Sequence, residues 1–383
     1  MTYNEFGKTG LRVSRFGMGC MRLPKTKQAD GTTIIDQDET NAMVKYAVDH
    51  GVNYFDTAYV YGGSEVAVGK ALAGGLREKI ILATKNPVWM AETYDDYEKL
   101  LDEELERLQT DYIDIYLLHA LNQERWDALK SLEAIKFMEE MKKKGKIKHF
   151  GFSFHGPLPL FKEIIDHYDW EMYQIQLNIL DEKHQAGLEG LHYAAKKGIP
   201  SVIMEPLRGG AMTTNIPESV KKAIDEFPTK RPPVEWAFRW LYDMPESKVV
   251  LSGVSNMEQL KQDIEIFDEA EANTMSPEEH RLIDTIKEAY KEGQQIGCTR
   301  CGYCMPCPQG VDIPEIFQLW NDLAMEAYSG HCRFQYTRMM HAMGNGATEC
   351  LECGICEDKC PQELPIMESL KKAHEALLNP DLA

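Results

Sequence analysis

"YIDIYLLHALNQERWDALKSLEAIKFMEEMKKKGKIKHFGFS", residues 112 to 153, holds the unit that decides the fold. An apolar run rich in β-branched residues (112–118) ends on a histidine. A charged amphipathic stretch follows from Trp126 to Lys144, and a second strand-like run (147–153) closes the unit. Gly145 stops the helix, and the lysines before it complement the negative end of its dipole. Strand, helix, strand is the repeating theme of an α/β protein.

The theme extends in both directions. Toward the amino terminus lie "RFGMGCM" (15–21), "VNYF" (52–55) and "IILAT" (80–84), with the amphipathic stretch Tyr94 to Leu108 among the helical patterns. Toward the carboxyl terminus lie "MYQIQL" (172–177), "PSVIM" (200–204) and "KVVLSG" (248–253). Eight strands, each followed by helical pattern, predict a (β/α)8 TIM barrel over residues 1–275. The competing doubly wound sheet would need a GxGxxG turn after an early strand, and the sequence has none. "YNEFGKTGLRVSRFG" (3–17) reads as a hairpin around Gly7 and Gly10, placed before the barrel and closing its floor.

"SPEEHRLIDTIKEAYKEG" (276–293) reads as one long helix, with Ser276 as N-cap, Pro277 in the first turn and Glu279 completing a capping box. It forms a linker, 276–294. Beyond it the composition changes, and 295–383 is expected to be a helical, cysteine-bearing domain.

Composition limits the partners. Of 383 residues, 42 are Lys or Arg and 61 Asp or Glu, a formal charge of −19. Such a surface repels phosphate backbones and anionic lipid, so neither nucleic acid nor membrane is an expected partner. No stretch approaches the roughly 18 apolar residues of a membrane helix, and the start "MTYNEFGKTG" has no signal-peptide pattern. The cytoplasm is the expected location. Eight of the ten cysteines fall in two tight sets, which in such a chain indicates metal binding rather than disulfides.

Active sites of barrels form at the carboxyl ends of the strands. Asp56 and Tyr61 lie just beyond one strand in "NYFDTAYVYGGSE" (53–65), Lys85 ends "ATK", and His119 ends "LLH". A carbonyl that accepts hydride needs a proton on its oxygen. A tyrosine hydroxyl can supply it if a nearby cation eases loss of the proton. Lys85 fits as that cation, Asp56 as its counter-charge, and His119 as the group that polarises or positions the carbonyl oxygen. Singly, an Asp before Thr caps helices and a His ending a strand is usually a buried donor.

Together with "GFS" (151–153), these motifs resemble the aldo/keto reductase family, whose tetrad is Asp, Tyr, Lys and His; the resemblance spans about residues 3 to 270. It implies NAD(P) across the barrel mouth, with Ser153 and Gln174 on the carboxamide, although Phe154 stands where the family has Asn. "IMEPLRGG" (203–210) is similar to the family's loop after the seventh strand. That likeness puts Met204 at the nicotinamide-stacking position and implies that Leu207 and Gly209 bind the cofactor. "LSGVSNMEQL" (251–260) resembles the phosphate loop and helix start, implying roles for Gly253, Ser255, Asn256 and Gln259. Gln259 stands where NADP-preferring members often carry Arg, so no preference for NADP is implied. Trp89, soon after Lys85, is a candidate for lining the substrate pocket.

"CTRCGYCMPCP" (298–308) spaces Cys298, Cys301 and Cys304 as C-x2-C-x2-C, with Cys307-Pro next. Cys350, Cys353 and Cys356 repeat the spacing, with Cys360-Pro next. Zinc would want two pairs per ion rather than two triples with Cys-Pro partners. Thiolates are soft ligands, and a cubane needs four. In two-cluster ferredoxins the last cysteine of each motif serves the other cluster. Two [4Fe-4S] clusters are therefore expected, one on Cys298, Cys301, Cys304 and Cys360, the other on Cys350, Cys353, Cys356 and Cys307. The tail resembles bacterial-type dicluster ferredoxins, with a long helical insertion between the motifs, and barrels of this family with such a tail form a recognised subfamily. Cys20 and Cys332 read as buried thiols.

Three functions fit this chain. It is an oxidoreductase of a small carbonyl or alcohol whose clusters relay electrons to or from a ferredoxin-like or other electron-transfer protein; or a plain NAD(P)-dependent reductase with a structural or docking tail; or a non-catalytic electron-transfer subunit. Clusters pass single electrons whereas nicotinamides pass two as hydride. A flavin would bridge the two, but no flavin motif is present.

Overall fold

The computed structural model describes residues 1–28, 31–210, 212–213, 216–323 and 329–378. Eight parallel strands close a barrel: β1 (Phe16–Gly19), β2 (Tyr54–Asp56), β3 (Ile81–Asn86), β4 (Ile113–Leu121), β5 (Ile147–Phe154), β6 (Tyr173–Gln176), β7 (Ser201–Met204) and β8 (Ser247–Ser252). Each pairs with its sequence neighbours, and β8 returns to β1 with Val250 opposite Phe16 and Ser252 opposite Met18. Every expected strand run is present in order. β3, β4 and most of β5 are buried along their length, as strands covered on both faces must be.

The hairpin Tyr3–Glu5 and Arg12–Ser14 pairs antiparallel ahead of the barrel. Phe6, at its turn, is fully buried in one cluster with Tyr54, Ile81, Ile115, Met172, Val202 and Val249 from the strands. A Cβ at Gly7, whose φ is +58°, would lie 2.7 Å from Pro200 at the amino end of β7. The hairpin thus plugs the floor, opposite the strand ends that carry the polar candidates.

One helical reading needs correction. The stretch Trp126 to Lys144 is two helices, Gln123–Ser131 and Ala134–Lys144, broken at Glu133, which has φ +53°. No Gly or Pro marks the break. It lets the first helix bury Trp126 and Leu129 while the second reorients to bury Phe137, Met138 and Met141.

The chain packs as two units. The first comprises Met1–Pro206 and Ala237–Met275; the second comprises Leu207–Trp236 and Ser276–Ala383. The segment after β7, assigned to the barrel from sequence, thus packs with the tail. Helix Pro277–Gly293 has the expected capping box between Ser276 and Glu279. It packs on helix Glu218–Glu226, and Tyr290 donates to the Met212 carbonyl at 3.1 Å. In the tail, helices Ile313–Leu323 and Ile366–Leu378 pack together, burying Ile316, Phe317, Leu370 and Ala373. Among the described residues no helix is long and apolar enough to cross a membrane.

Candidate active site and cysteine clusters

Asp56 ends β2, and Lys85 is the penultimate residue of β3, the neighbouring strand. Lys85 Nζ donates to Asp56 Oδ1 at 2.6 Å, to the Thr57 carbonyl at 2.7 Å and to the Tyr61 hydroxyl oxygen at 3.4 Å. Its ammonium also lies 4.9 Å from the centre of the Tyr61 ring. Asp56 and Lys85 are buried and Tyr61 half-buried. Burial pushes the Asp56 carboxyl upward, and the Lys85 charge and hydrogen bond oppose that push. The His119 ring stands edge-on to Tyr61 at 6.1 Å. Its basicity is driven well below that of a free histidine, first by burial and then by the charges of Lys85, His155 and Arg125. The ring is neutral at physiological pH and can donate one N–H. The four tetrad candidates therefore meet at one place.

A distortion of β4 aims His119. The β4–β5 register shifts between Leu118 and Leu121, and Ala120 adopts φ +52°. Ser153 Oγ accepts from the Ala120 N–H at 2.7 Å, and Arg125 donates to the Ala120 carbonyl at 2.7 Å. Bulges commonly redirect a side chain beside an active site. Ser153, predicted to touch a carboxamide, here also props this bulge, leaving its own O–H to donate elsewhere.

Gln174 pairs in register with Ser153, is almost fully buried, and its Nε2 lies 3.6 Å from Met204 Sδ. Phe154 points away from the barrel interior onto Phe161, at 5.3 Å, so it does not replace the absent Asn. The next residue, His155, is within electrostatic reach of Lys85 and Arg125 and is the polar side chain nearest in sequence to that role. The sequence reading missed it and Arg125; a histidine directly after "GFSF" was the available signal. Trp89 lies 5.3 Å from His119, with the Arg125 guanidinium 4.0 Å over its ring.

At the end of β8, Asn256 caps helix Met257–Asp268 by accepting from the Gln259 N–H at 2.9 Å. The Gln259 side chain in turn accepts from Ser255 N and Oγ. A Cβ at Gly253 would come within 3.3 Å of Arg22 Cδ, so a cationic side chain borders this loop. Leu207 and Gly209 belong to the second unit. Between them Arg208 is buried with φ +51°, donates to Gln294 Oε1 at 2.6 Å, and lies against Gly297 beside Cys298.

The cysteines separate into two sets. Cys298, Cys301, Cys304 and Cys360 line one cavity. Cys307, Cys350, Cys353 and Cys356 line a second, which Cys304 also borders. The motifs repeat in conformation as well as spacing. Arg300 and Glu352, both with positive φ, donate N–H to Cys298 Sγ and Cys350 Sγ at 3.4 Å. Gly310 and Glu363 likewise turn back on the carbonyls of Cys307 and Cys360. Burial pushes the Cys304 thiol up to about 12, aided by Cys301, Cys298 and Cys360 nearby. Among the described residues no three His, Cys, Asp or Glu side chains converge closely enough to hold a single ion. Four soft donors spread round a cavity fit a multi-atom cluster better than zinc. Cys20 and Cys332 are both buried.

A (β/α)8 barrel with polar groups gathered at its strand ends, joined to a cysteine-lined helical module, is the plan of a barrel oxidoreductase. The profile of the aldo/keto reductase family matches residues 15–288, and that of a 4Fe-4S dicluster domain matches 297–364. The chain belongs to the aldo/keto reductase family and carries a 4Fe-4S dicluster domain at its carboxyl end. It is 28% identical over 321 residues to the uncharacterized oxidoreductase YqkF of Bacillus subtilis, covering 76% of this chain and 99% of that one. It is 28% identical over 307 residues to L-galactose dehydrogenase of Arabidopsis thaliana, covering 74% and 94%. The aldo-keto reductase AKR11C1 from Bacillus halodurans, in its holo form, superposes with a TM-score of 0.62 at 28% identity, over 76% of this chain and 97% of that one.

Proposed function

We propose that this oxidoreductase interconverts a small carbonyl compound and its alcohol at Asp56, Tyr61, Lys85 and His119, and that two [4Fe-4S] clusters relay electrons to or from an electron-transfer protein in the cytoplasm. The observation that carries this reading is the placement of Lys85 Nζ between Asp56 and the Tyr61 hydroxyl. Tyr61 gives its proton to the carbonyl oxygen as negative charge develops there. Lys85 stabilises the phenolate left behind, because a cation at hydrogen-bond distance favours the charged form of an acid. Asp56 keeps Lys85 aimed at Tyr61 through their hydrogen bond. Neutral His119 donates an N–H to the same oxygen and fixes the carbonyl's orientation.

NAD(P), when bound, supplies or accepts the hydride; Ser153 and Gln174 would meet its carboxamide, while Gly253, Ser255, Asn256 and Gln259 would hold the remainder. Arg22 adds positive charge at Gly253, and no preference between NADH and NADPH follows from these residues. The clusters supply one-electron transfer; Cys298, Cys301, Cys304 and Cys360 would hold one, and Cys307, Cys350, Cys353 and Cys356 the other.

The test is anaerobic stopped-flow spectroscopy on the full chain, reduced separately by NADH, NADPH and dithionite. Reoxidation of the cluster absorbance on adding a carbonyl substrate supports the relay. Turnover with a nicotinamide while the clusters stay oxidised would replace it with the plain reductase.

A further inference from the structure

We propose that the carbonyl substrate carries a carboxylate, and that Arg125, laid on Trp89 at the side of His119, is the group that binds it. The inference rests on the catalytic reading above, and deepens it by naming the substrate class. Trp89 comes from the turn after β3 (Val88–Met90), and Arg125 from the first turn of the helix after β4. Both therefore belong to loops at the strand ends that carry Lys85 and His119. One Arg125 guanidinium nitrogen donates to the Ala120 carbonyl at 2.7 Å, and the guanidinium carbon lies 4.0 Å over the Trp89 ring. Stacking on an aromatic face pre-orients the planar fork, which matches a carboxylate bidentately, so little rotamer freedom remains to be lost on binding.

Trp89 is 38% exposed, so this corner opens to solvent, yet its ring is only 5.3 Å from that of His119. A carbonyl held by His119 and Tyr61 could thus reach Arg125 with a carboxylate placed about one ring-width away. Two cations, Lys85 and Arg125, act on both His119 and His155, and Asp56 is paired with Lys85 at 2.6 Å. The chain as a whole carries −19 and repels anions. The Arg125 guanidinium, beside the candidate catalytic groups, is where an anionic substrate is drawn in despite that field.

The probes are 4-carboxybenzaldehyde and its methyl ester, which share a carbonyl and differ in charge. Binding to the full chain is followed by calorimetry, and turnover is measured in the same buffer. The wild type is expected to bind the acid about tenfold more tightly than the ester or better, as a hydrogen bond to a charged group implies. Arg125→Met, which keeps the apolar stem, is expected to bind both alike, and Arg125→Lys to retain part of the preference. Thermal melts show whether each variant is folded. Equal binding of acid and ester by the wild type, or an undiminished preference in folded Arg125→Met, overturns the proposal. Tyr61→Phe separates the two readings: it should lose turnover and keep the acid preference. Retained turnover in that variant would sink the tetrad reading, while the binding data would still decide the role of Arg125.

Discussion

Lys85 is 1% exposed and donates to three oxygens, one of them the carboxylate of Asp56. Replacing it by Met should lower turnover by about 10²- to 10⁴-fold, the usual range for acid–base assistance. It should also leave Asp56 buried without its cation. Burial already raises that carboxyl, and losing Lys85 raises it further, so the variant's stability should fall as pH rises from the ordinary carboxylate range upward. Melting curves at about pH 5 and pH 8 check this; a deficit independent of pH would count against it. Asp263, on helix Met257–Asp268, gives a second test. Burial pushes its carboxyl up to about 7, opposed by a hydrogen bond from Ser252. Folding therefore favours the protonated form, and the penalty grows between the unfolded carboxylate's pKa and about 7 and is complete above it. Asp263→Asn should raise the melting temperature at about pH 8 and have little effect at about pH 4. The candidate residues Asp56, Lys85 and His119 were legible in the sequence because each sits at a strand end, with Tyr61 in the turn beyond. The place of His155 was not, because it follows the last residue of β5, where contacts with distant groups such as Gln185 fix the ring.

The bulge in β4 shows what an element adds to its residues. A regular strand would carry His119 in step with Leu117 and Leu121. The shift at Ala120 breaks that step, and Ser153 from the neighbouring strand satisfies the displaced N–H. Ser153→Ala should leave this buried N–H without its acceptor, costing about 1–3 kcal/mol. It should also reduce turnover more than substrate binding, because it disturbs the aim of His119. Unfolding in urea and steady-state kinetics measure the two effects; loss of stability with unchanged turnover would confine Ser153 to a structural role. The break at Glu133 has the same origin: a pattern that reads as one amphipathic helix divides where two buried faces, Trp126 with Leu129 and Phe137 with Met141, must meet different neighbours. The capping box at Ser276 and Glu279, by contrast, was legible because capping is settled within one turn.

Across the whole molecule, the cysteines gather in two pockets: Cys360 lines one with the first triple, and Cys307 lines the other with the second triple. If each cavity holds one cluster, Cys360→Ala should remove the signal of one cluster and Cys307→Ala that of the other. Each variant should retain about half the iron, since each cubane needs its four thiolates. Low-temperature electron paramagnetic resonance and iron analysis read both. Loss of the same signal from Cys307→Ala and Cys304→Ala would mean that each motif closes on itself. The segment 207–236 packs with the tail through Arg208 on Gln294 and Tyr290 on Met212, a grouping that its place after β7 did not foretell.

The order of eight strands, the hairpin, the capped helix and the paired cysteine triples follow from spacing along the chain, because strand alternation, capping and ligand triples involve residues a few positions apart. The crosswise cysteine sets follow from a pattern of the same kind. Packing between distant segments settled the rest: the bulge that aims His119, the outward Phe154, the place of His155, the stack of Arg125 on Trp89, and the grouping of 207–236 with the tail. Each of these depends on which groups must share buried space, and residues far apart in sequence meet only once the chain has closed on itself.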